Sequence, residues 1–171
     1  MQIEEDGPLW RVRWRWYEPM YNFMVVWSLI WNGIMLAIAI SMISKGEFRS
    51  LWYLGFHGPI GLFVAFLTLA GLVNATTLEI APLGMTIRHG PLPWLGNRCL
   101  LAVRVEQIYC RLSKVRVNGS ARYELHADLG DGKTVRLLGG FDDPDEPRFL
   151  EQQIEARLGI QPRQVPGEYR N

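Results

Sequence analysis

The chain has 171 residues, 49% of them apolar, and a formal net charge of +1. That length bounds it to one modest domain plus an anchor, and so small a net charge gives no general reason to expect a nucleic-acid partner. The two cysteines, Cys99 and Cys110, lack metal-ligand spacing; they allow at most one disulfide, and a reduced pair is the simpler reading.

Composition is unevenly spread: six of the seven tryptophans lie before residue 53, and most of the charge lies after residue 78. Residues 1–10 are acidic and polar, so no cleavable signal is expected. Residues 1–18 alternate basic and aromatic side chains: Trp10, Arg11, Arg13, Trp14, Arg15, Trp16 and Tyr17. Such interleaving suits base stacking in principle. Placed just ahead of an apolar run, it predicts an interfacial belt, with rings at headgroup depth and guanidiniums at lipid phosphates.

Residues 19–74 predict two membrane spans. From Pro19 to Ser44 there is no formal charge, which sets a first helix at about 21–43. A second charge-free interval, Ser50–Leu78, holds a helix at about 51–73. Leu51–Val73 is 23 residues, and a rise of about 1.5 Å per residue carries it roughly 34 Å, enough for a hydrocarbon core of about 30 Å. The connection Lys45–Ser50 is short enough to force an antiparallel hairpin, so both termini fall on one side. Arg11, Arg13 and Arg15 outnumber Lys45 and Arg49, which assigns that side to the cytoplasm.

Small residues recur at helical spacing in both spans: Gly33, Ala37 and Ser41 in the first, Gly58, Gly61, Ala65 and Thr68 in the second. Such faces let backbones approach closely, and they predict the contact between the two helices or with a partner's helix. Asn32 and His57 are the intramembrane polar groups. Polar groups in lipid are costly and often serve relays or ligands, but an interhelical hydrogen bond for Asn32 and interfacial water for His57 make structural roles the expectation. Pro59 either kinks the second span or marks its effective start.

After Asn74 the period changes to two. Thr76, Leu78 and Ile80 form one strand face, Gly84 turns the chain, and Met85, Ile87 and His89 form the next. The prolines of HGPLPWLGN forbid a central strand there. Val103 and Val105 resume the alternation, which slips by one at Ile108, Cys110 and Leu112, so a bulge near Gln107 is expected. Asn118-Gly119 and Asp131-Gly132 are turn signals around a strand with Ala121, Tyr123, Leu125, Ala127 and Leu129 on one face. A helix follows: Asp143 as N-cap, Pro144 at its first position, Glu146 completing a capping box, a Leu150/Ile154/Leu158 stripe, and Gly159-Ile160 as a left-handed C-cap. Residues 161–171 read as a polar tail.

The predicted fold class is therefore α+β: an N-terminal transmembrane hairpin, then a small antiparallel barrel or sandwich over 75–160 capped by a C-terminal helix. An OB-type barrel would share much of the strand pattern without needing that helix. The layout, with two spans, HGPLPWLGN, a strand ending in QIYC, YELHADLGDGK and FLEQQIEARLGI, resembles bacterial two-span membrane proteins that carry a pleckstrin-homology-like cytoplasmic domain. The resemblance implies a bent sheet closed by the terminal helix, and brings no established activity. Relatives in that fold often bind phosphoinositides through a basic first turn. Here the turn is Ala81-Pro82-Leu83-Gly84, without a cation, so that property is not implied.

No nucleophile elbow, phosphate-binding glycine loop, paired-histidine metal motif or cysteine cluster is present in the sequence. His126 falls on the polar face of its strand. Asp142, Asp143, Asp145 and Glu146 suit a helix start better than a cation site. No catalytic residue, metal, cofactor or small-molecule substrate is expected.

Charge is polarised within the C-terminal region. Residues 98–122 hold six cations (Arg98, Arg104, Arg111, Lys114, Arg116, Arg122) and one anion, and residues 141–155 hold six anions and one cation. Either the two regions pair locally on a solvated surface, or the basic one faces anionic lipid or an acidic partner while the acidic helix turns away or serves self-association. The loop Pro91, Leu92, Pro93, Trp94, Gly96 and Asn97 is the candidate interaction loop, with Trp94 either at the membrane interface or plugging the barrel end. The expected function is non-enzymatic: protein association, self-association or anionic-lipid contact at the cytoplasmic face, or else an accessory role in a larger membrane complex.

Overall fold

The computed structural model describes residues 2–46, 51–117 and 119–169. The chain is α+β and divides into two compact units, one of Met1–Trp14, Thr76–His89 and Trp94–Asn171, the other of Arg15–Ala75 and Gly90–Pro93.

The helical unit is an antiparallel pair, α1 (Met20–Lys45) and α2 (Leu51–Val73). Each is long and apolar enough to cross a membrane. Gly46, at φ 69°, ends α1 and donates its N–H to the Ile43 carbonyl, a left-handed stop that Cβ would strain. α2 runs on through Pro59, which therefore does not mark its start. Tyr21, Met24, Ser28, Trp31 and Met35 on α1, and His57, Gly61, Val64, Thr68 and Gly71 on α2, are buried or half-buried, while most positions between them are exposed. Intervals alternating between three and four are the repeat of a knobs-into-holes seam. The outer surface is left to side chains such as Phe23, 71% exposed, and Leu62, 67% exposed.

The other unit is built on two antiparallel sheets. The first takes β1 (Gln2–Asp6), β2 (Leu9–Arg15), β3 (Ala75–Ala81), β4 (Gly84–Gly90) and β5 (Arg98–Leu101) in that spatial order. The second takes β6 (Val105–Leu112), β7 (Tyr123–Leu129) and β8 (Thr134–Phe141). Helix α3 (Asp145–Leu158) follows. One core joins Trp10, Val12, Leu78, Ile80, Met85 and Ile87 of the first sheet with Ile108, Leu125, Ala127 and Leu138 of the second and Leu150 and Ile154 of α3.

Residues 1–18 are thus not a separate interfacial belt. LWRVRWR forms β2, in register with β1 from Arg13 opposite Gln2 to Leu9 opposite Asp6. Period two sends Trp10 and Val12 inward, 2% and 0% exposed, and leaves the intervening arginines outside. The sheet module accordingly begins before the helices rather than at residue 75. The helix pair is an insertion between two neighbouring strands, and Trp16 N–H meets the Asn74 carbonyl at 3.1 Å where the chain leaves and re-enters.

The β3–β4 hairpin has the expected inward faces, and a bulge falls between Val105 and Gln107. Residues 102–104 are a 3-10 turn rather than strand, with Val103 90% exposed. Helix α3 starts at Asp145, and Asp143 Oδ1 accepts the Asp145 N–H at 2.9 Å, so the capping acid acts one residue farther out than expected. Gly159, at φ 69°, ends α3, and Ile160 N–H returns to the Glu155 carbonyl at 3.0 Å. Asn118 and most of the Lys45–Ser50 connection, Arg49 included, lie outside the described residues.

Candidate interaction surfaces

Within the helix pair, Asn32 joins the two helices. Its Nδ2 donates to the Ser28 carbonyl at 2.8 Å and to the Gly61 carbonyl on α2 at 3.2 Å. A side-chain amide in an apolar seam needs such partners, since an unpaired one is costly to bury. His57 lies among aromatic rings, with centroids 4.3 Å from Tyr53, 5.1 Å from Phe56 and 6.0 Å from Trp31. Gly61 is a point of close approach: a Cβ there would meet the Trp31 ring at 2.6 Å and Asn32 Oδ1 at 2.9 Å. Gly71 does the same for Tyr21. Ala65 and Gly58 are half-buried. Gly33 and Ala37 are not part of the seam: both are exposed, and nothing lies within 4 Å of a Cβ built at Gly33. The seam on α1 runs through Ser28, Trp31 and Met35 instead, so larger side chains of α1 fill the space that glycines of α2 leave.

The loop at 91–97 is fixed at both ends. Asn74 is fully buried, and its side chain holds the Leu92 backbone from both sides, Oδ1 accepting the N–H at 2.8 Å and Nδ2 donating to the carbonyl at 3.3 Å. At the other end Asn97 Oδ1 accepts the His89 N–H at 2.7 Å. His89 Nδ1 and Thr76 Oγ1 lie 2.9 Å apart. Burial draws the His89 pKa down, with a hydrogen bond from the ring to the Gly96 backbone opposing it. Gly96 adopts φ +108°, and its missing Cβ leaves room for the His89 ring. Pro91 and Pro93 are exposed, Leu95 is 91% exposed and Trp94 37%. Trp94 therefore does not plug the core, which Trp10 and Val12 close from the first sheet.

The six cations of 98–122 do not form one basic face. Arg98 is on β5, at the edge of the first sheet, and Arg104 precedes β6 of the second. Lys114 and Arg116 follow the far end of β6, which at about 3.3 Å per residue puts on the order of 25 Å between them and Arg104. Arg111 is half-buried, and Arg122 is paired with Asp142. Lys114 and Arg116 alone share one exposed tip.

Of the six acids of 141–155, Asp142, Asp143, Asp145 and Glu146 are exposed, whereas two are turned inward. Glu151 and Glu155 face β6, beside the Leu150/Ile154 stripe rather than opposite it. Glu155 is 5% exposed and accepts from Gln107 Nε2. Burial first, then Glu151 and Glu168, push its carboxyl up to about 7. Glu151 Oε2 accepts the Cys110 N–H at 2.8 Å, and its pKa is also raised, chiefly by burial. Burial, with Glu151 second, pushes the Cys110 thiol up to about 11, far from the range in which a thiolate attacks at neutral pH. The tail is docked as well: Tyr169 N–H reaches the Cys110 carbonyl at 2.8 Å, and Arg163 N–H reaches Gln107 Oε1 at 3.1 Å. Both polar groups of Cys110 on the outer edge of β6 are thus satisfied, one by a helix carboxylate and one by the tail.

Both cysteines are free thiols. Among the described residues no three His, Cys, Asp or Glu side chains are gathered as for a metal ion. No protein-family model matches the chain, and no curated protein matches it.

Proposed function

We propose that the chain is a non-enzymatic integral membrane protein that tethers an α+β recognition module to the bilayer. The observation that carries this reading is the contrast within α1 and α2. Their mutual seam is closed by Asn32, Gly61 and Gly71, yet side chains such as Phe23 and Leu62 stay exposed outside it. Water would penalise so much apolar surface, whereas lipid does not. Asn32 is engaged in helix pairing, which argues for architecture over chemistry within the spans.

The module is read as pleckstrin-homology-like, supported by two small antiparallel sheets followed by one C-terminal helix that shares their core. Its partner is a protein, a second copy or anionic lipid, met at the cytoplasmic face of a bacterial inner membrane. Extraction in mild detergent, crosslinking and mass spectrometry of what accompanies the protein test the reading. Recovery from the membrane fraction with a reproducible partner, oligomer or lipid supports it; recovery from the soluble fraction, or alone and lipid-free, overturns it.

A second reading, an accessory subunit held through its helices, is favoured by Gly33 and Ala37, which are exposed on α1 and unused by α2. Partner loss on Gly33→Leu, with retention on deleting the sheet module, would select it.

A further inference from the structure

We propose that the tip of the β6–β7 hairpin, residues 112–117 and 119–122, seats on an anionic lipid surface, with Val115 and Val117 entering the apolar boundary and Lys114 and Arg116 meeting headgroup phosphates. The inference rests on the membrane reading above and names the partner of one surface of the module.

The tip is a built projection beyond the paired strands. Ser113 N–H donates to the Arg122 carbonyl at 2.8 Å, Val117 and Ser120 bond each other in both directions, and Gly119 turns at φ +77°. Its apolar side chains have no place in the core: Leu112 is 43% exposed, Val115 66% and Val117 42%. Valines and cations alternate along it, and Lys114 and Arg116 are exposed. No carboxylate occurs between Leu112 and Arg122. The acids at its base are already engaged, Glu124 with Arg136 and His126 and Asp142 with Arg122, so they do not offset the tip cations. Exposed β-branched residues interleaved with cations suit the boundary of an anionic bilayer, where apolar groups leave water while charges stay at phosphate depth. An acidic protein partner is the competing occupant that the test separates.

The test is amide hydrogen exchange of the full chain in nanodiscs of neutral lipid and of the same lipid with about a third anionic headgroups. Each cation near an anionic surface contributes about fivefold to binding, on the order of 25-fold for the pair. The expected result is slower exchange at residues 114–117 and 119–121 in the anionic discs alone, abolished by Lys114→Glu with Arg116→Glu. Unchanged exchange of β6 and β7 in that variant shows that it folds. Equal exchange in the two discs, or slowing that the charge reversal does not abolish, overturns the proposal; the first result leaves an acidic protein as the remaining occupant. Exchange over the two helices in the same run reports separately whether the pair is in the bilayer. Should the chain prove soluble, vesicles of the two compositions replace the discs, and binding to neither overturns the proposal in its turn.

Discussion

The carboxamide of Asn74 grips Leu92 as a strand neighbour would, accepting its N–H at 2.8 Å and donating to its carbonyl at 3.3 Å. Asn74 also closes the C-terminal end of α2 through its own N–H to the Ala70 carbonyl, and its carbonyl receives Trp16 N–H. One buried residue therefore joins the helix end, Trp16 just after β2 and the start of the 91–97 loop. Asn74→Leu is expected to leave the two Leu92 groups without their partner and to cost on the order of 2–6 kcal/mol, at about 1–3 kcal/mol per buried unsatisfied group. Asn74→Asp keeps the acceptor but sets a second carboxylate oxygen against the Leu92 carbonyl in a fully buried site, so a loss at least as large is expected at neutral pH, relieved on acidification as the protonated acid regains a donor. Thermal unfolding in detergent, together with the rate of proteolysis at residues 90–97, measures both.

Glu155 makes stability depend on pH. Its folded-state pKa, raised to about 7, exceeds the ordinary carboxylate value of 4.5. Between those values the folded chain binds more protons than the unfolded one, so stability falls as pH rises from about 4.5 to about 7 and then levels off. Glu155→Gln retains an acceptor for Gln107 and removes the ionisation. At pH 8 the variant is expected to be more stable than the parent by on the order of 1–3 kcal/mol, with little difference near pH 5. Glu151, whose pKa is raised by the same burial, leaves a smaller slope of the same sign in the variant. Melting temperatures of the two proteins across pH 5–8 provide the check.

What was legible in the sequence followed periodicity. Leu78 and Ile80, then Met85 and Ile87, announce their inward faces by alternation, and the parity slip at Ile108 announces the bulge. Leu150 and Ile154 mark the packed stripe of α3. The same rule applied to Leu9–Arg15 yields a strand, since Trp10, Val12 and Trp14 alternate with arginines. Proximity to a long apolar run drew that segment toward a membrane belt, although Arg11 in fact pairs with Glu79 at 2.7 Å across the sheet. Glu151 and Glu155 were hidden for another reason. Charged residues beside a helix stripe read as solvated until the strand they cover is known, and the bare edge of β6 has no signature in one dimension. The Asn74–Leu92 clamp is hidden likewise, because it depends on two segments meeting that are 18 residues apart.

The helix seam separates glycines that spacing alone made equivalent. At Gly61 a Cβ would lie 2.6 Å from the Trp31 ring, whereas at Gly33 it would meet nothing within 4 Å. Gly61→Leu is expected to separate the helices, to break the Asn32 hydrogen bond to the Gly61 carbonyl, and to cost about 2–4 kcal/mol through overpacking and lost pairing. Gly33→Leu is expected to leave the isolated chain within about 0.5 kcal/mol of the parent, exposure there being to lipid. Unfolding titrations in mixed micelles, read by fluorescence of the tryptophans on α1, distinguish the two.

Strand β6 has β7 on one side only, and its other edge is covered by α3 and the tail. Glu151→Ala is expected to strand the Cys110 N–H, at a cost of about 1–3 kcal/mol. Removing residues 161–171 has a different outcome. It uncovers the Cys110 carbonyl that Tyr169 N–H occupies, the Gln107 Oε1 that Arg163 N–H occupies, and the Tyr123 ring against which Tyr169 packs at 4.9 Å. An uncovered edge with free carbonyls pairs with another chain. The truncated protein is therefore expected to self-associate in a concentration-dependent way in detergent, while Glu151→Ala with its tail intact keeps the oligomeric state of the parent. Light scattering coupled to size exclusion reads the difference, and an unchanged mass for the truncated chain would show that α3 alone suffices to guard the edge.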